Sequence, residues 1–120
     1  MERVTGIGGV FLKARDPKAL ASWYQEHLGI EFGDGLYVDF PWTPSGHNVF
    51  SLFKQDSNYF QPSDKEYMLN FRVQHLKNLL AELEKEGVTI VGKLEEYDYG
   101  LFGHIMDPEG NKIQLWEPID

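Results

Sequence analysis

The chain has 120 residues, of which 42% are hydrophobic and 25% charged, and this length and composition predict one globular domain. Its formal net charge of −8 argues against a nucleic-acid partner, which requires a basic surface, and the lack of cysteine excludes disulfides and thiolate metal sites. Because the sequence has neither a signal-peptide pattern nor an apolar run of the ~20 residues needed to cross a bilayer, we expect a cytoplasmic protein without a membrane partner.

The first half of the chain predicts one helix among strands. A strand is expected over residues 7–13, and the helix begins at Asp16-Pro17, since aspartate caps free N–H groups and proline suits the first helical position. Gly29 ends the helix, whose buried face carries apolar residues at i, i+3 and i+4: Leu20, Trp23 and Tyr24. Three shorter strands are expected after it, at residues 31–32, 36–40 and 49–53.

The second half repeats this plan. A strand over residues 67–73 precedes a helical stripe, closed by Gly87, that consists of Leu76, Leu79, Leu80 and Leu83. Three more strands are expected at residues 88–91, 103–106 and 112–116, and residues 94–100 are expected to form a loop. We therefore predict a single domain, residues 1–120, with two tandem βαβββ modules: module one at 1–55, a linker at 56–66 and module two at 67–120. The linker contains Tyr59 and Phe60, so we expect it to pack on the modules.

Two motifs carry a resemblance to a known family. The first is DPKALASWYQEHLG at residues 16–29, and the second, which is more specific, is MDPEGNKIQLWEP at residues 106–118. Together with the βαβββ repeat they resemble the glyoxalase, bleomycin-resistance and extradiol dioxygenase proteins of the vicinal oxygen chelate superfamily, over nearly the whole chain. The resemblance implies an α+β fold in which the modules form curved mixed sheets with helices on the outer face.

The metal enzymes of that superfamily hold a cation at four positions, which the resemblance places at Gly9, Phe50, Met68 and Gln114. Three of these residues do not bind a divalent cation, and a single neutral amide does not hold one. No metal and no other cofactor is therefore expected. His104 combined with Glu95 or Glu117 is the other set of donors that could form a metal site.

The aromatic content predicts a pocket, because three Trp, six Tyr and eight Phe exceed what a core of this size needs. Alternation along the strands, with the resemblance indicating the inward side, predicts an apolar wall of Phe11, Phe50, Met68, Phe102 and Trp116, with Asn70, His104 and Gln114 as its polar points. His104 is the candidate for acid–base catalysis, because histidine titrates near neutral pH. Alternatively, these residues fill the interior, with Asn70 hydrogen-bonded to Gln114 and His104 in a structural role.

The predicted function is binding of a small aromatic or cationic molecule without a metal, as in the drug-sequestering members that the chain resembles. Those members are dimers, so a small-molecule ligand and a second copy of the chain are the expected partners. The acids and tyrosines of residues 94–100 form either a lid that recognises a cation or a solvated loop. Two alternatives stay open: a metal-dependent lyase, isomerase or dioxygenase of the same superfamily with His104 as its base, and a structural or interaction role.

Overall fold

Two helices and one mixed sheet of four strands form the regular structure of the chain, in a computed structural model that describes residues 2–42 and 46–119. In chain order the elements are α1 (Pro17–Leu28), β1 (Leu69–Arg72), α2 (Leu76–Lys85), β2 (Ile90–Tyr97), β3 (Gly100–Met106) and β4 (Lys112–Pro118). The sheet order is β1-β4-β3-β2, with β1 parallel to β4 and the other neighbours antiparallel. In these described residues, neither helix is long and apolar enough to cross a membrane.

The second half forms the predicted βαβββ module, and the α+β fold class is confirmed. The main difference is in β2, which continues to Tyr97 through residues predicted as a loop. That prediction was wrong because the pairing of β2 with β3 shifts register between Val91 and Glu95, where Gly92 has a left-handed φ of 68°. Such an irregularity lets a strand continue although its apolar alternation is broken.

The start of each helix is capped, but the second helix uses a distant residue. The side chain of Asp16 accepts a bond of 3.1 Å from a backbone N–H in the first turn of α1, and Gly29 ends this helix with a left-handed φ of 68°. His75, which precedes α2, makes no capping bond with its side chain. The carboxylate of Glu117 on β4 accepts from the backbone N–H of Leu76 at 2.8 Å instead. Glu117 is therefore engaged on the helix side of the sheet.

The hydrophobic core lies between the helices and one face of the sheet. Its fully buried side chains are Leu76, Leu83, Ile105, Ile113 and Leu115. Leu20 and Tyr24 bring α1 into the same core, and the Tyr24 ring meets Phe71 of β1 edge-on at 6.2 Å. Because side chains alternate along a strand, the residues between these core positions point to the opposite face, which neither α1 nor α2 covers.

The DPEGN turn at residues 107–111 fastens α1 to the second half. The buried carboxylate of Asp107 accepts from the Tyr24 hydroxyl at 2.6 Å and from the Asn111 side-chain amide at 2.7 Å. The carboxylate of Glu109 accepts from two backbone N–H groups just before α1, at 2.7 and 3.0 Å. These backbone bonds hold the pKa of Glu109 below its usual range. The turn thus acts as a clasp between two parts of the chain that are far apart in sequence.

Apart from α1, the described residues of the first half do not form the predicted elements. The segments at 7–13, 31–32, 36–40 and 49–53 contain no regular strand, and most of their apolar side chains are exposed. A strand persists only where a neighbour satisfies its N–H and C=O groups, and no strand in the described part of the chain pairs with these segments. The predicted regular strands are therefore absent from these described segments of the single chain, and the second βαβββ module is not shown.

Candidate functional site

The face of the sheet opposite the helices, termed the open face, carries side chains from all four strands. The strand register places Asn70, Gln114 and His104 side by side across β1, β4 and β3. One step further along the same face, Trp116 stands opposite Phe102. The open face is formed by Asn70, Glu95, Phe102, His104, Gln114 and Trp116.

Gln114 sets the polarity of the hydrogen bonds on this face. Its Oε1 accepts from Nδ2 of Asn70 at 2.7 Å, and its Nε2 lies 3.0 Å from Nε2 of His104. Because an amide nitrogen only donates, Nε2 of His104 accepts and the imidazole proton is on Nδ1. Nδ1 in turn faces Oε2 of Glu95 at 4.0 Å. His104 is therefore a neutral imidazole held between an amide and a carboxylate.

Tyr59, from the linker, completes this network. Its hydroxyl accepts from Nε2 of Gln114 at 3.2 Å and lies 3.3 Å from both Oε1 of Glu95 and Nε2 of His104. Its ring stands edge-on to the His104 imidazole, with the centroids 5.5 Å apart. The backbone carbonyl of Tyr59 accepts from the buried ammonium of Lys112 at 2.6 Å. The linker thus packs on the sheet, as predicted.

Burial shifts the pKa values of two titratable side chains of the network in the direction that favours the neutral form. Burial lowers the pKa of His104, the nearby Lys112 ammonium lowers it further, and Glu95 opposes both effects. Burial raises the pKa of Tyr59 to about 12, and Glu95 adds to this effect. At neutral pH the network accordingly contains an uncharged imidazole and an uncharged phenol beside a carboxylate and an ammonium.

A cluster of four rings, termed the aromatic cluster, adjoins the network: Tyr97, Tyr99, Phe102 and Trp116. Phe102 and Trp116 stack with centroids 6.0 Å apart and 4° between their planes, and the two tyrosines stack at 5.3 Å and 4°. Both tyrosines meet Phe102 edge-on at 5.9 Å. Tyr97 and Tyr99 are 46% and 62% exposed, so ring surface remains accessible to a ligand.

Gly100 positions the Trp116 indole. A Cβ at this residue would lie 2.6 Å from Nε1 of Trp116 and 2.9 Å from the carbonyl oxygen of Glu117, which is too close for any side chain. The indole therefore rests against bare backbone, and its Nε1 is buried with no hydrogen-bond partner among the described residues. A larger residue at position 100 would displace the ring that stacks on Phe102.

The structure brings most of the predicted site residues together on the open face: Asn70, Phe102, His104, Gln114 and Trp116. Met68 lies just before β1 and is half-buried. Phe11 and Phe50, in the first half, are 94% and 81% exposed and form no wall in the single chain. The bond between Asn70 and Gln114 that the alternative interpretation requires is present, so this part of the network also supports the fold.

Tyr59 was not assigned to the site from the sequence, and Glu95 was considered only as a metal donor beside His104 and as part of the segment at residues 94–100. Tyr59 lies in a polar linker, and its contact with His104 joins positions 45 residues apart. Glu95 lies in the segment predicted as a loop, where no alternation indicates which way it faces. The only indication of Tyr59 in the sequence was the pair of aromatic residues in the linker. It predicted that the linker packs on the protein but not which surface it covers.

The residues at the metal positions of the superfamily do not fit a divalent cation. Gly9 and Phe50 offer no donor side chain, and the Gln114 amide is engaged by Asn70 and His104. Of the other donor set, Glu95 approaches His104 but Glu117 caps α2. Within residues 2–42 and 46–119, no group of three or more His, Cys, Asp and Glu side chains is arranged to hold a metal ion.

Two shallow grooves flank α1 and have volumes of about 330 and 390 Å³. The first is lined by Trp23 and Pro108 among others, and the second by charged residues around Arg15. Neither contains a residue of the open face or combines several rings with converging hydrogen-bonding groups. The open face therefore remains the candidate site.

Several solved structures are similar to the chain in fold. An integron cassette protein from the mobile metagenome of V. cholerae has a TM-score of 0.64 and 20% identity, with 98% of each chain covered. TnmS3, an antibiotic binding protein from Streptomyces sp. CB03234, has a TM-score of 0.62 and 17% identity, with 99% of this chain and 100% of TnmS3 covered. At such identities the similarity shows the fold alone. No curated protein matches the sequence significantly.

The sequence itself matches a family model described as a glyoxalase-like domain over residues 9–116. The match takes in both helices and every residue of the open face. It therefore covers most of the chain, together with the candidate site. The chain belongs to the glyoxalase-like domain family, within the vicinal oxygen chelate superfamily.

Proposed function

We propose that this protein binds a small aromatic or cationic molecule at the open face without a metal, as a glyoxalase/bleomycin-resistance-like binding protein. The observation that carries the proposal is that the aromatic cluster and the polar network meet, since the Tyr97 hydroxyl donates to Glu95 at 3.1 Å. Stacked rings offer a surface to an aromatic ligand, and rings beside a carboxylate attract a cation. The fold similarity to TnmS3, an antibiotic binding protein, supports the same class of function.

Metal independence is part of the proposal, and the donor chemistry of the site supports it. The Gln114 amide already serves Asn70 and His104, and it is a weak ligand for a divalent cation. The lone pair of His104 Nε2 accepts from Gln114 at 3.0 Å, so it is not free to take a proton from a substrate. Both features favour binding over a lyase, isomerase or dioxygenase reaction.

A thermal-shift screen tests this function. We expect members of a panel of aromatic amines, quaternary ammonium compounds and phenols to raise the melting temperature equally with and without EDTA. Trp116→Ala should abolish the shift because it removes the ring that stacks on Phe102, whereas Trp23→Ala on α1, the matched control, should retain it. A shift that requires added metal, or one that survives Trp116→Ala, would refute the proposal.

The proposed functional unit is a homodimer, because the single chain exposes more surface than a compact protein of its mass. Its accessible surface is 9557 Å², whereas a folded monomer of 13.9 kDa exposes about 6,700 Å². Its radius of gyration, 15.0 Å, likewise exceeds the ~13.6 Å of a compact domain of this length. An excess of roughly 2,900 Å² per chain is ample for a stable dimer, since obligate homodimers bury about 2,000–5,000 Å² in total.

The exposed apolar residues of the first half indicate where the second copy would lie. Phe11, Trp42, Phe50 and Leu52 are 94%, 79%, 81% and 85% exposed, and monomeric proteins rarely leave large apolar patches uncovered. Two copies would bring the same unpaired segments together, and pairing between them would satisfy the backbone groups of both. The strands predicted in the first half would then form across the interface.

Light scattering coupled to size-exclusion chromatography measures the oligomeric state directly. We expect a mass twice the 13.9 kDa of the chain, and we expect Phe50→Asp to give the monomer because it places a charge on the proposed interface. Thr89→Asp, an exposed position in the second half, is the matched control and should remain dimeric. A wild-type protein that is monomeric at high micromolar concentration would contradict the proposal.

A further inference from the structure

The hydroxyl of Tyr59 fills a small polar cradle on the open face. Three atoms surround it: Nε2 of Gln114 at 3.2 Å, Oε1 of Glu95 at 3.3 Å and Nε2 of His104 at 3.3 Å. The hydroxyl of Tyr97 donates to the same oxygen of Glu95 at 3.1 Å. The cradle is thus occupied by a phenol that the chain itself supplies.

The hydrogen-bond polarity of the cradle suits a hydroxyl. Gln114 presents an N–H, because its oxygen is bound to Asn70, so the occupant must accept a bond there. Glu95 presents a carboxylate, so the occupant must also donate a bond, and a hydroxyl does both with one oxygen. A ligand carboxylate would face Glu95 with like charge, whereas an ammonium has no lone pair for the N–H of Gln114.

The hydrogen bonds of the Tyr59 hydroxyl are longer than the bond that its backbone carbonyl accepts. The contacts of its hydroxyl, at 3.2 to 3.3 Å, are at the long end of hydrogen-bond distances, whereas its carbonyl accepts from Lys112 at 2.6 Å. On its outer side the ring stacks on Phe53, which is itself 46% exposed. A change of the Tyr59 side-chain rotamer would empty the cradle while Lys112 keeps the backbone in place.

We propose that the cradle recognises a phenolic hydroxyl of the ligand, which replaces that of Tyr59 while the ligand ring lies against the aromatic cluster. Glu95 pairs with Phe102 across β2 and β3, so a hydroxyl bound to Glu95 places its ring beside Phe102. The inference rests on the proposed function and narrows its ligand class to neutral phenols. Gln114 and Glu95 then determine the specificity, and Tyr59 is the internal competitor that a ligand has to replace.

Binding of 4-methylphenol, the tyrosine side chain as a free molecule, tests this inference. Isothermal titration calorimetry compares it with toluene, 4-methylbenzoate and benzylamine on the wild type and on Tyr59→Ala. We expect Tyr59→Ala to bind 4-methylphenol about tenfold more tightly than the wild type does, because the internal competitor is gone. It should also prefer 4-methylphenol to toluene by about tenfold, the ratio that one charge-assisted hydrogen bond supplies. 4-Methylbenzoate should bind no more tightly than toluene.

A second variant and a second measurement distinguish recognition of a hydroxyl by the cradle from unspecific binding in the cavity that Tyr59→Ala creates. Gln114→Leu, combined with Tyr59→Ala, removes the N–H donor of the cradle and should reduce the affinity for 4-methylphenol to that for toluene. In the wild type, 4-methylphenol should shift the imidazole nitrogen resonances of His104, and toluene should not, which keeps the inference testable if Tyr59→Ala does not fold. Equal affinities of Tyr59→Ala for phenol and toluene, or an unresponsive His104 in the wild type, would overturn the inference.

A failure of this inference is distinguishable from a failure of the proposed function. If toluene and benzylamine bind Tyr59→Ala as tightly as 4-methylphenol does, and Trp116→Ala abolishes their binding, the site takes aromatic ligands but the cradle does not select a hydroxyl. If no aromatic probe binds either protein and the thermal-shift screen is negative, the inference and the proposed function both fail.

Discussion

Replacement of Asp107 by alanine is expected to lower the free energy of unfolding by about 4 kcal/mol. Asp107 is 5% exposed, and its carboxylate accepts from the Tyr24 hydroxyl, the Asn111 side chain and two backbone N–H groups of its own turn, at 2.6 to 3.0 Å. Without it, buried donors lose their acceptor, and each costs about 1–3 kcal/mol when unpaired. Because small domains have a total stability of about 5–15 kcal/mol, this variant should lose between roughly a quarter and four fifths of it.

Urea denaturation followed by tryptophan fluorescence measures the effect. Tyr24→Phe is the matched control, because it removes the 2.6 Å bond and leaves the others, and it should cost about 1 kcal/mol. The double variant should lose less than the two single losses combined, since both remove the same bond. A loss of under about 1 kcal/mol for Asp107→Ala would show that the turn does not depend on its carboxylate.

The Asp107 clasp illustrates what a local motif can and cannot predict. The letters DPEGN predict a tight turn, and together with DPKALASWYQEHLG they indicate the family, which the family model confirms. They do not reveal that the aspartate bonds Tyr24, because the two residues are 83 positions apart. That contact depends on how α1 packs on the sheet, which is a property of the whole core.

In the candidate site, too, the sequence predicted some contacts and not others. Alternation along β3 and β4 predicts that His104, Gln114 and Trp116 share a face, because a period of two is a property of the extended backbone. The linker is irregular and has no period, so the position of Tyr59 could not be deduced from the sequence. The position of Tyr59 matters for the chemistry of the site, because it places a neutral phenol at the polar end of the open face.

The first half shows a different limit of the sequence. The helix α1 begins and ends where Asp16 and Gly29 predict. In the other segments, the apolar alternation indicates side chains that pack against another part of the protein or against a partner. Whether the other segments form strands depends on a partner for their backbone groups, which periodicity does not identify. In the described part of the chain these segments have no strand partner. The sequence therefore predicted their preference for extended structure but not whether they pair into a sheet.

Gln114→Glu is expected to raise the pKa of His104, by more than about one pH unit. In the wild type, Nε2 of His104 accepts from the Gln114 amide at 3.0 Å, and burial holds the histidine pKa below its usual range. A carboxylate in place of the amide would still accept from Asn70, but its second oxygen would face the lone pair of His104. Protonation of Nε2 converts that repulsion into a charge-assisted bond. Titration of the imidazole resonances by NMR measures the change.

The matched control is Gln74→Glu, which makes the same change of charge at an exposed position and should leave the His104 titration in place. An unchanged titration in Gln114→Glu would mean that the amide does not orient its nitrogen toward His104. The assignment of the imidazole proton to Nδ1, and with it the polarity of the cradle around Tyr59, would then be wrong.

The same substitution should weaken the contribution of His104 to the pH dependence of stability. In the wild type the folded pKa of His104 is below that of the unfolded chain, which is about 6.5. The unfolded state therefore takes up the proton first as the pH falls, and stability decreases on acidification. In Gln114→Glu the folded pKa of His104 is expected to rise, so the difference from the unfolded value becomes smaller. The loss of stability on acidification should therefore be smaller in Gln114→Glu than in Gln74→Glu. Urea midpoints measured above and below about pH 6.5 test this expectation. An equal loss of stability in the two variants would mean that the side chain at position 114 does not influence the protonation of His104.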